Sequence, residues 1–158
     1  MSKSLQIYLH DHYSGATFAV ELLKALSTTY SGDELGQFAG EILTEVNQDR
    51  ELLMNLIQQI GSAGPDLKDV AGWTAEKASR LKLRHDDPEG LGAFEALEAL
   101  SLGILGKRAL WVALRRIAEV DSRVKRPDFE VLARGAEDQF NRVEEFRLRL
   151  APVTFSNG

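Results

Sequence analysis

Apolar residues recur every three or four positions through four long stretches of this sequence, and no stretch of useful length alternates with a period of two. Spacing of three to four residues gathers side chains on one face of an α-helix, whereas a half-buried strand needs strict alternation. The sequence therefore predicts four long helices. They run from residue 4 to 30, from the capping sequence at residues 31–34 to Gly61, from Asp87 and Pro88 to about Val120, and from Pro127 and Asp128 to Pro152.

The four predicted helices form two pairs. Short turns join the first helix to the second and the third to the fourth, and a connection of about 25 residues with its own short helix at residues 66–84 joins the pairs. At about 1.5 Å per residue, each long helix reaches around 40 Å, as in a four-helix bundle. We therefore expect an all-α fold, an antiparallel four-helix bundle of two helical hairpins, in a single domain over residues 1–158.

The composition excludes several classes of protein. Its 44% hydrophobic and 27% charged residues are typical of a globular chain, and its net charge of −5 argues against nucleic-acid binding. The conspicuous uncharged apolar run at residues 99–106 is far shorter than the roughly 18 residues of a membrane-spanning helix, so no membrane segment is predicted. The absence of cysteine excludes thiol catalysis and disulfides, and it fits a cytoplasmic protein.

Three polar residues interrupt the apolar stripes of the first two helices. His12 stands in the first stripe where leucine is expected, and Glu45 and Asp49 stand in the second. Pairing these helices outward from their turn near residue 31 places His12 opposite Asp49, with Glu45 one helical turn away. Imidazole and carboxylate groups at one depth of a bundle either bind a metal ion or satisfy one another by hydrogen bonding.

The direction of the long connection decides which residues of the other two helices reach this depth. If the connection crosses the length of the bundle, Lys107 of the third helix and Glu137 or Gln139 of the fourth reach the level of His12. The interior group is then an ion network without a metal ion. Its members are His12, Glu45, Asp49, Lys107 and Glu137.

If the connection stays at one end of the bundle, two acids take those places instead. Glu98 of the third helix and Glu144 of the fourth then come level with His12 and create an acid-rich pocket that suits a divalent cation. Glu98 interrupts an apolar face, so it needs a partner in either arrangement. The candidate metal ligands are His12, Glu45, Asp49, Glu98, Glu137 and Glu144.

Three segments of the chain, together with its two hairpins and long central connection, resemble a known family. The segments are DHYSGA at residues 11–16, EVNQDR at 45–50 and GILGKRALW at 103–111. They are similar to segments of a bacterial branch of the ferritin-like superfamily that has no assigned activity. The resemblance covers nearly the whole chain and implies a ferritin-like bundle, whose typical crossover favours the arrangement with Lys107.

The chain departs from the di-iron members of that superfamily at the metal-binding motifs. Those members carry a Glu on each of two helices and a Glu-x-x-His motif on each of the other two. Here Gln48 follows Glu45 by three residues and Phe140 follows Glu137, so both motif histidines are absent. The resemblance therefore implies a bundle that has lost the di-iron centre.

These observations lead to three hypotheses about function. The first is a non-catalytic binding or structural module, assembled as a homodimer, with an interior ion network in place of a di-iron centre and no cofactor. The second is a protein that binds iron or manganese through the candidate ligands and has oxidase-type or metal-storage activity. The third is a carrier of an apolar ligand, suggested by the small residues Ala16 and Ala19 in the first stripe. The first hypothesis leads, because no nucleophile–base pair or nucleotide-binding motif encodes an enzyme.

Glycines occur inside the predicted helices, where each costs about 1 kcal/mol relative to alanine. They are Gly15, Gly36, Gly40, Gly103, Gly106 and Gly135. Either tight packing between helices of one chain or the close approach of a second subunit would offset this cost. The second subunit would approach over Gly36 and Gly40 or over Gly103 and Gly106.

Overall fold

Four long helices make up the fold. The computed structural model describes residues 2–61, 90–125 and 127–156 of the chain. Its helices are α1 (Lys3–Thr29), α2 (Glu34–Ile60), α3 (Leu91–Ile117) and α4 (Phe129–Phe155), with a 3₁₀ turn at Ser122–Val124. All regular structure in these residues is helical, which confirms the predicted all-α class. The short helix predicted at residues 66–84 and the helix start predicted at Asp87 and Pro88 lie outside the described residues.

Local capping chemistry sets several of the helix ends. The Ser2 side chain accepts a hydrogen bond from the backbone N–H of Leu5 and caps α1. Gly61 ends α2 at a φ of 75°, a left-handed conformation that favours glycine. The Asp128 side chain accepts hydrogen bonds from the backbone N–H groups of Glu130 and Val131, so α4 begins immediately after it.

The fourth helix does not end at Pro152 as predicted. It continues to Phe155. Proline has no N–H group to donate within the helix, but near a helix end this removes a single hydrogen bond. Packing holds the last turn in place, since Thr154 is buried and the Phe155 ring contacts the Phe94 ring edge-on at a centroid distance of 5.1 Å.

Contacts between helices give the direction of each one. α1 packs along α2 and α3 packs along α4 as two hairpins, and α1 also packs against α3. Between α2 and α4, Arg142 pairs with Glu45 and Arg149 pairs with Glu34, so these helices are antiparallel. α2 and α3 therefore run in the same direction, and Gly61 and Gly90 lie at opposite ends of the bundle.

One hydrophobic core joins all four helices. Its fully buried large side chains include Leu9, Leu22, Leu23, Leu26, Ile42, Leu56, Leu97, Leu100, Leu110, Trp111 and Leu114. Burial of each leucine contributes roughly 2 kcal/mol to folding. Within the described part of the chain, no helix combines the length and the apolarity that crossing a bilayer requires.

Candidate functional site

An ion pair between α2 and α3 lies inside the bundle. The Nζ atom of Lys107 lies 2.6 Å from Oδ2 of Asp49, and the two side chains are only 13% and 16% exposed. Lys107 also donates a hydrogen bond to Oε1 of Gln139 on α4. Three helices thus converge on one ammonium group.

Gln139 links this ion pair to a second one. Its Nε2 atom donates to Oε2 of Glu45 at 3.0 Å and to Oδ2 of Asp49 at 3.4 Å, while its Oε1 atom accepts from Lys107. Oε2 of Glu45 also lies 2.5 Å from Nη2 of Arg142. We call this group the ion cluster. It consists of Glu45, Asp49, Lys107, Gln139 and Arg142.

The charges of the ion cluster balance. Within the cluster two carboxylates face two cations, and the neutral amide of Gln139 lies among them. At its outer edge, Arg142 also pairs with the exposed Asp138 at 3.0 Å. Burial lowers the pKa of Lys107, although Asp49 and Glu45 oppose that shift. Burial also raises the pKa of Glu45, but hydrogen bonds from Arg142 and Gln139 outweigh it, so the net pKa is lowered. Each carboxylate therefore has a cationic partner without a metal ion.

His12 lies near the ion cluster but outside its hydrogen bonds. Its half-buried ring contacts the Tyr8 ring edge-on at a centroid distance of 4.7 Å. Burial lowers the pKa of His12, and the charge of Asp11 opposes this shift. Among the described residues, no hydrogen bond or ion pair joins His12 to Asp49, although both side chains line the same cavity.

The remaining acids predicted as site residues lie elsewhere. Glu137 is not in the interior network, because its side chain is 57% exposed and its Oε2 atom lies 3.5 Å from Nε of Arg108. Glu144 and Glu98 both pair with Arg147, at 2.8 Å and 3.1 Å. These two acids belong to a separate polar group between α3 and α4.

The polar side chains of this separate group also form their hydrogen bonds and ion pairs with one another. Ser101 donates a hydrogen bond to Oε1 of Glu144 at 2.5 Å. Hydrogen bonds from Arg147 lower the pKa of Glu144 despite its partial burial, and Ser101 adds to the effect. The partner that Glu98 requires is therefore Arg147, and neither acid reaches the ion cluster.

The residues that the bundle brings together do not fit a di-iron centre. Such a centre needs carboxylates and histidines that converge on the metal ions. Here the Lys107 ammonium group occupies the space beside Asp49, and Glu137, Glu98 and Glu144 point to other partners. Across residues 2–61, 90–125 and 127–156, no three His, Asp or Glu side chains form a group that could hold a metal ion.

A cavity of about 470 Å³ opens beside the ion cluster, between α1, α2 and α3. This volume lies within the range of small-molecule sites, which are mostly apolar with a few polar groups. The charged residues in its wall are Asp11, Asp49, Arg50 and Lys107, and His12 also lines it. The apolar residues that line it are Tyr8, Ala16, Phe18, Ala19, Val46, Leu53, Ile104, Leu110 and Trp111.

The helical glycines differ in what surrounds them. A Cβ atom on Gly36 would overlap the carbonyl oxygen of Tyr30, so packing within the chain requires glycine there. A Cβ atom on Gly15, Gly103 or Gly106 would meet nothing within 4 Å. These three glycines line the cavity, so they leave space beside it that no side chain of the described structure fills.

Sequence reasoning missed Arg142 as a member of the ion cluster. The arginines in this part of the sequence suggest an interaction with the dipole at a helix end, but Arg142 lies at the middle of α4. The available signal is its position three residues after Gln139, which puts both side chains on one face of α4. Trp111 ends the segment at residues 103–111, and no signal in the sequence indicates its role in the cavity wall.

The chemistry of the site consists of a neutral ion cluster and an adjacent, largely apolar cavity. Comparison of the chain with models of protein families, with curated proteins and with solved structures gives no match. The geometry of these residues therefore carries the argument about function.

Proposed function

We propose that this protein is a non-catalytic binding module, a ferritin-like bundle in which the ion cluster stands in place of a di-iron centre. Its ligand is a small, mainly apolar molecule that enters the cavity between α1, α2 and α3. This proposal joins two of the hypotheses drawn from the sequence, the module with an interior ion network and the carrier of an apolar ligand.

Helix direction and the identity of one residue support the ferritin-like relationship. α2 and α3 run in the same direction, as the crossover typical of that superfamily requires. Lys107 lies at the level where its metal-binding members need a carboxylate, and it pairs with Asp49 at 2.6 Å. A lysine at this place neutralises the acids that would otherwise attract a cation.

The cavity is the observation that carries the binding function. Among the described residues, the apolar side chains that line this cavity of about 470 Å³ lack packing contacts that core side chains normally make. Its small wall residues, which include Ala16 and Gly106, enlarge the void at a cost to stability or helix propensity. Binding of an apolar molecule would restore those contacts.

Filling the cavity tests the proposal. We expect the uncharged dye N-phenyl-1-naphthylamine to bind the protein with enhanced fluorescence, and Gly106→Leu to weaken this binding at least tenfold. Gly135→Leu is the matched control, because Gly135 is also helical with no atom within 4 Å of a Cβ but lies on α4 outside the cavity. The control should keep the affinity of the unmodified protein.

Two results would contradict the proposal. One is equal binding by the Gly106→Leu and Gly135→Leu variants, which would place the dye elsewhere, and the other is no binding at all. The alternative, a protein that binds iron or manganese, predicts stoichiometric metal in protein purified without chelator and its loss in His12→Ala. That result would favour the alternative.

A further inference from the structure

Trp111 carries a hydrogen-bond donor for which the described part of the chain supplies no acceptor. Its side chain is 1% exposed and forms part of the cavity wall. Its indole Nε1 atom has no hydrogen-bond partner among the residues that the structure describes. A buried N–H group without an acceptor is unfavourable, and native proteins rarely keep one without a reason.

Lys107 brings a second donor to the same wall. An ammonium group has three N–H bonds, and the described structure gives the Nζ atom two acceptors, Asp49 and Gln139. Lys107 and Trp111 are four residues apart on α3, so their side chains lie on one face, one helical turn from each other. Both residues line the cavity.

The rest of the wall favours a ligand without a net charge. The charged residues in the wall are of both signs, the acids Asp11 and Asp49 and the bases Arg50 and Lys107, so the wall offers no net attraction to an anion or to a cation. Gly103 lies one turn before Lys107 on the same face of α3, and its missing side chain leaves room for an apolar group beside the donors.

We propose that the ligand is an uncharged, mainly apolar molecule with a carbonyl oxygen, and that Trp111 Nε1 donates a hydrogen bond to that oxygen while Lys107 Nζ supplies the second donor. This inference rests on the proposed binding function and adds the chemical class of the ligand. A site built to hydrogen-bond one group of a ligand discriminates against an analogue of the same shape that lacks the group.

Three probes of nearly equal shape test the inference. They are 2-acetylnaphthalene, which has a carbonyl group, 2-isopropenylnaphthalene, which has a methylene group in its place, and 2-naphthoate, which has a charged carboxylate. Their affinities are measured by titration calorimetry. We expect the ketone to bind at least tenfold more tightly than the hydrocarbon and more tightly than the carboxylate.

Nuclear magnetic resonance locates the hydrogen bond. The chain has two tryptophans, and the indole N–H signal of Trp111 is the one that disappears in Trp111→Phe. We expect this signal to move downfield with the ketone and to move less with the hydrocarbon. In Trp111→Phe, the ketone should lose most of its advantage while the hydrocarbon keeps its affinity.

The measurements distinguish failure of the proposed carbonyl contact from failure of the proposed binding function. Equal affinities for ketone and hydrocarbon, with the Trp111 signal unchanged, would overturn the carbonyl contact and leave the proposed binding function standing. Tightest binding by 2-naphthoate would overturn the requirement for an uncharged ligand. No binding by any of the three probes would overturn both proposals. The probe comparison in the unmodified protein decides the matter even if Trp111→Phe does not fold.

Discussion

At the scale of single residues, Gln139 makes the interior charges compatible with one another. A carboxylate only accepts hydrogen bonds and an ammonium group only donates them, whereas an amide does both. Its Oε1 atom accepts from Lys107 and its Nε2 atom donates to Glu45 and Asp49. This dual role explains why a neutral side chain, rather than a third acid, occupies the centre of the cluster.

Lys107→Met tests the strength of the ion pair. The change should lower the free energy of unfolding by about 3 kcal/mol, because it leaves Asp49 buried without its cation. The control is Arg108→Met, which removes the exposed pair with Glu137 and should cost less than about 1 kcal/mol. Urea denaturation of both variants measures the difference. Equal losses would mean that burial does not strengthen the Lys107 pair.

The sequence predicted the level of the charged residues along the bundle axis better than the direction in which each side chain points from its helix. Counting from the turns correctly brings Lys107 and Asp49 to one level, because rise per residue is constant in a helix. It does not choose between Glu137 and Gln139, which point in different directions although they differ by only two positions. The buried residues Ala136 and Val143 on α4 place Gln139 inside by helical spacing, and Glu137 outside.

At the scale of helices, the periodic stripes predicted the positions of all four but not their relative directions. A stripe of apolar residues fixes which face of a helix is buried, and the face is the same for either direction of packing. The direction follows from tertiary pairs such as Arg149 with Glu34, which no local pattern reveals. The extension of α4 past Pro152 likewise depends on the distant contact between Phe155 and Phe94.

Two glycine-to-alanine changes separate the effect of packing on stability from the effect of helix propensity. Gly36→Ala should destabilise the protein by about 1–3 kcal/mol, because the new Cβ atom overlaps the Tyr30 carbonyl oxygen. Gly103→Ala should stabilise it by up to about 1 kcal/mol, because alanine favours the helix and its Cβ atom meets no neighbour. Thermal and urea unfolding check both values. A neutral Gly36→Ala would show that the turn before α2 adjusts at little cost.

At the scale of the whole molecule, partnered carboxylates make stability depend on pH. Glu45 and Glu144 have folded pKa values below their ordinary value of 4.5. Their contribution is therefore present above about pH 4.5 and lost as the pH falls through the folded pKa values. We expect the melting temperature to fall between pH 5 and pH 3, and Glu144→Gln to reduce that fall.

The matched control for the acid measurement is Glu95→Gln. Glu95 lies exposed on α3, and the described structure gives it no ion pair. This variant should follow the pH dependence of the unmodified protein. A Glu144→Gln variant that also does so would show that the pair with Arg147 contributes nothing to acid sensitivity.

Assembly of the whole molecule into a homodimer remains a prediction. Leu102, Leu105 and Val112 are exposed large apolar side chains on one face of α3, where a second copy could bury them. The glycine pair Gly36 and Gly40 no longer supports that interface, because packing within the chain accounts for Gly36.

The parallel course of α2 and α3 bears on the order in which the protein folds. Each hairpin pairs helices that follow one another in the chain, whereas Lys107 and Asp49 are 58 residues apart and Arg142 and Glu45 are 97 apart. Closing such long loops costs more chain entropy than closing a hairpin turn. We therefore expect the ion cluster to form only when the two hairpins dock, and only docking through the correct faces brings its opposite charges together.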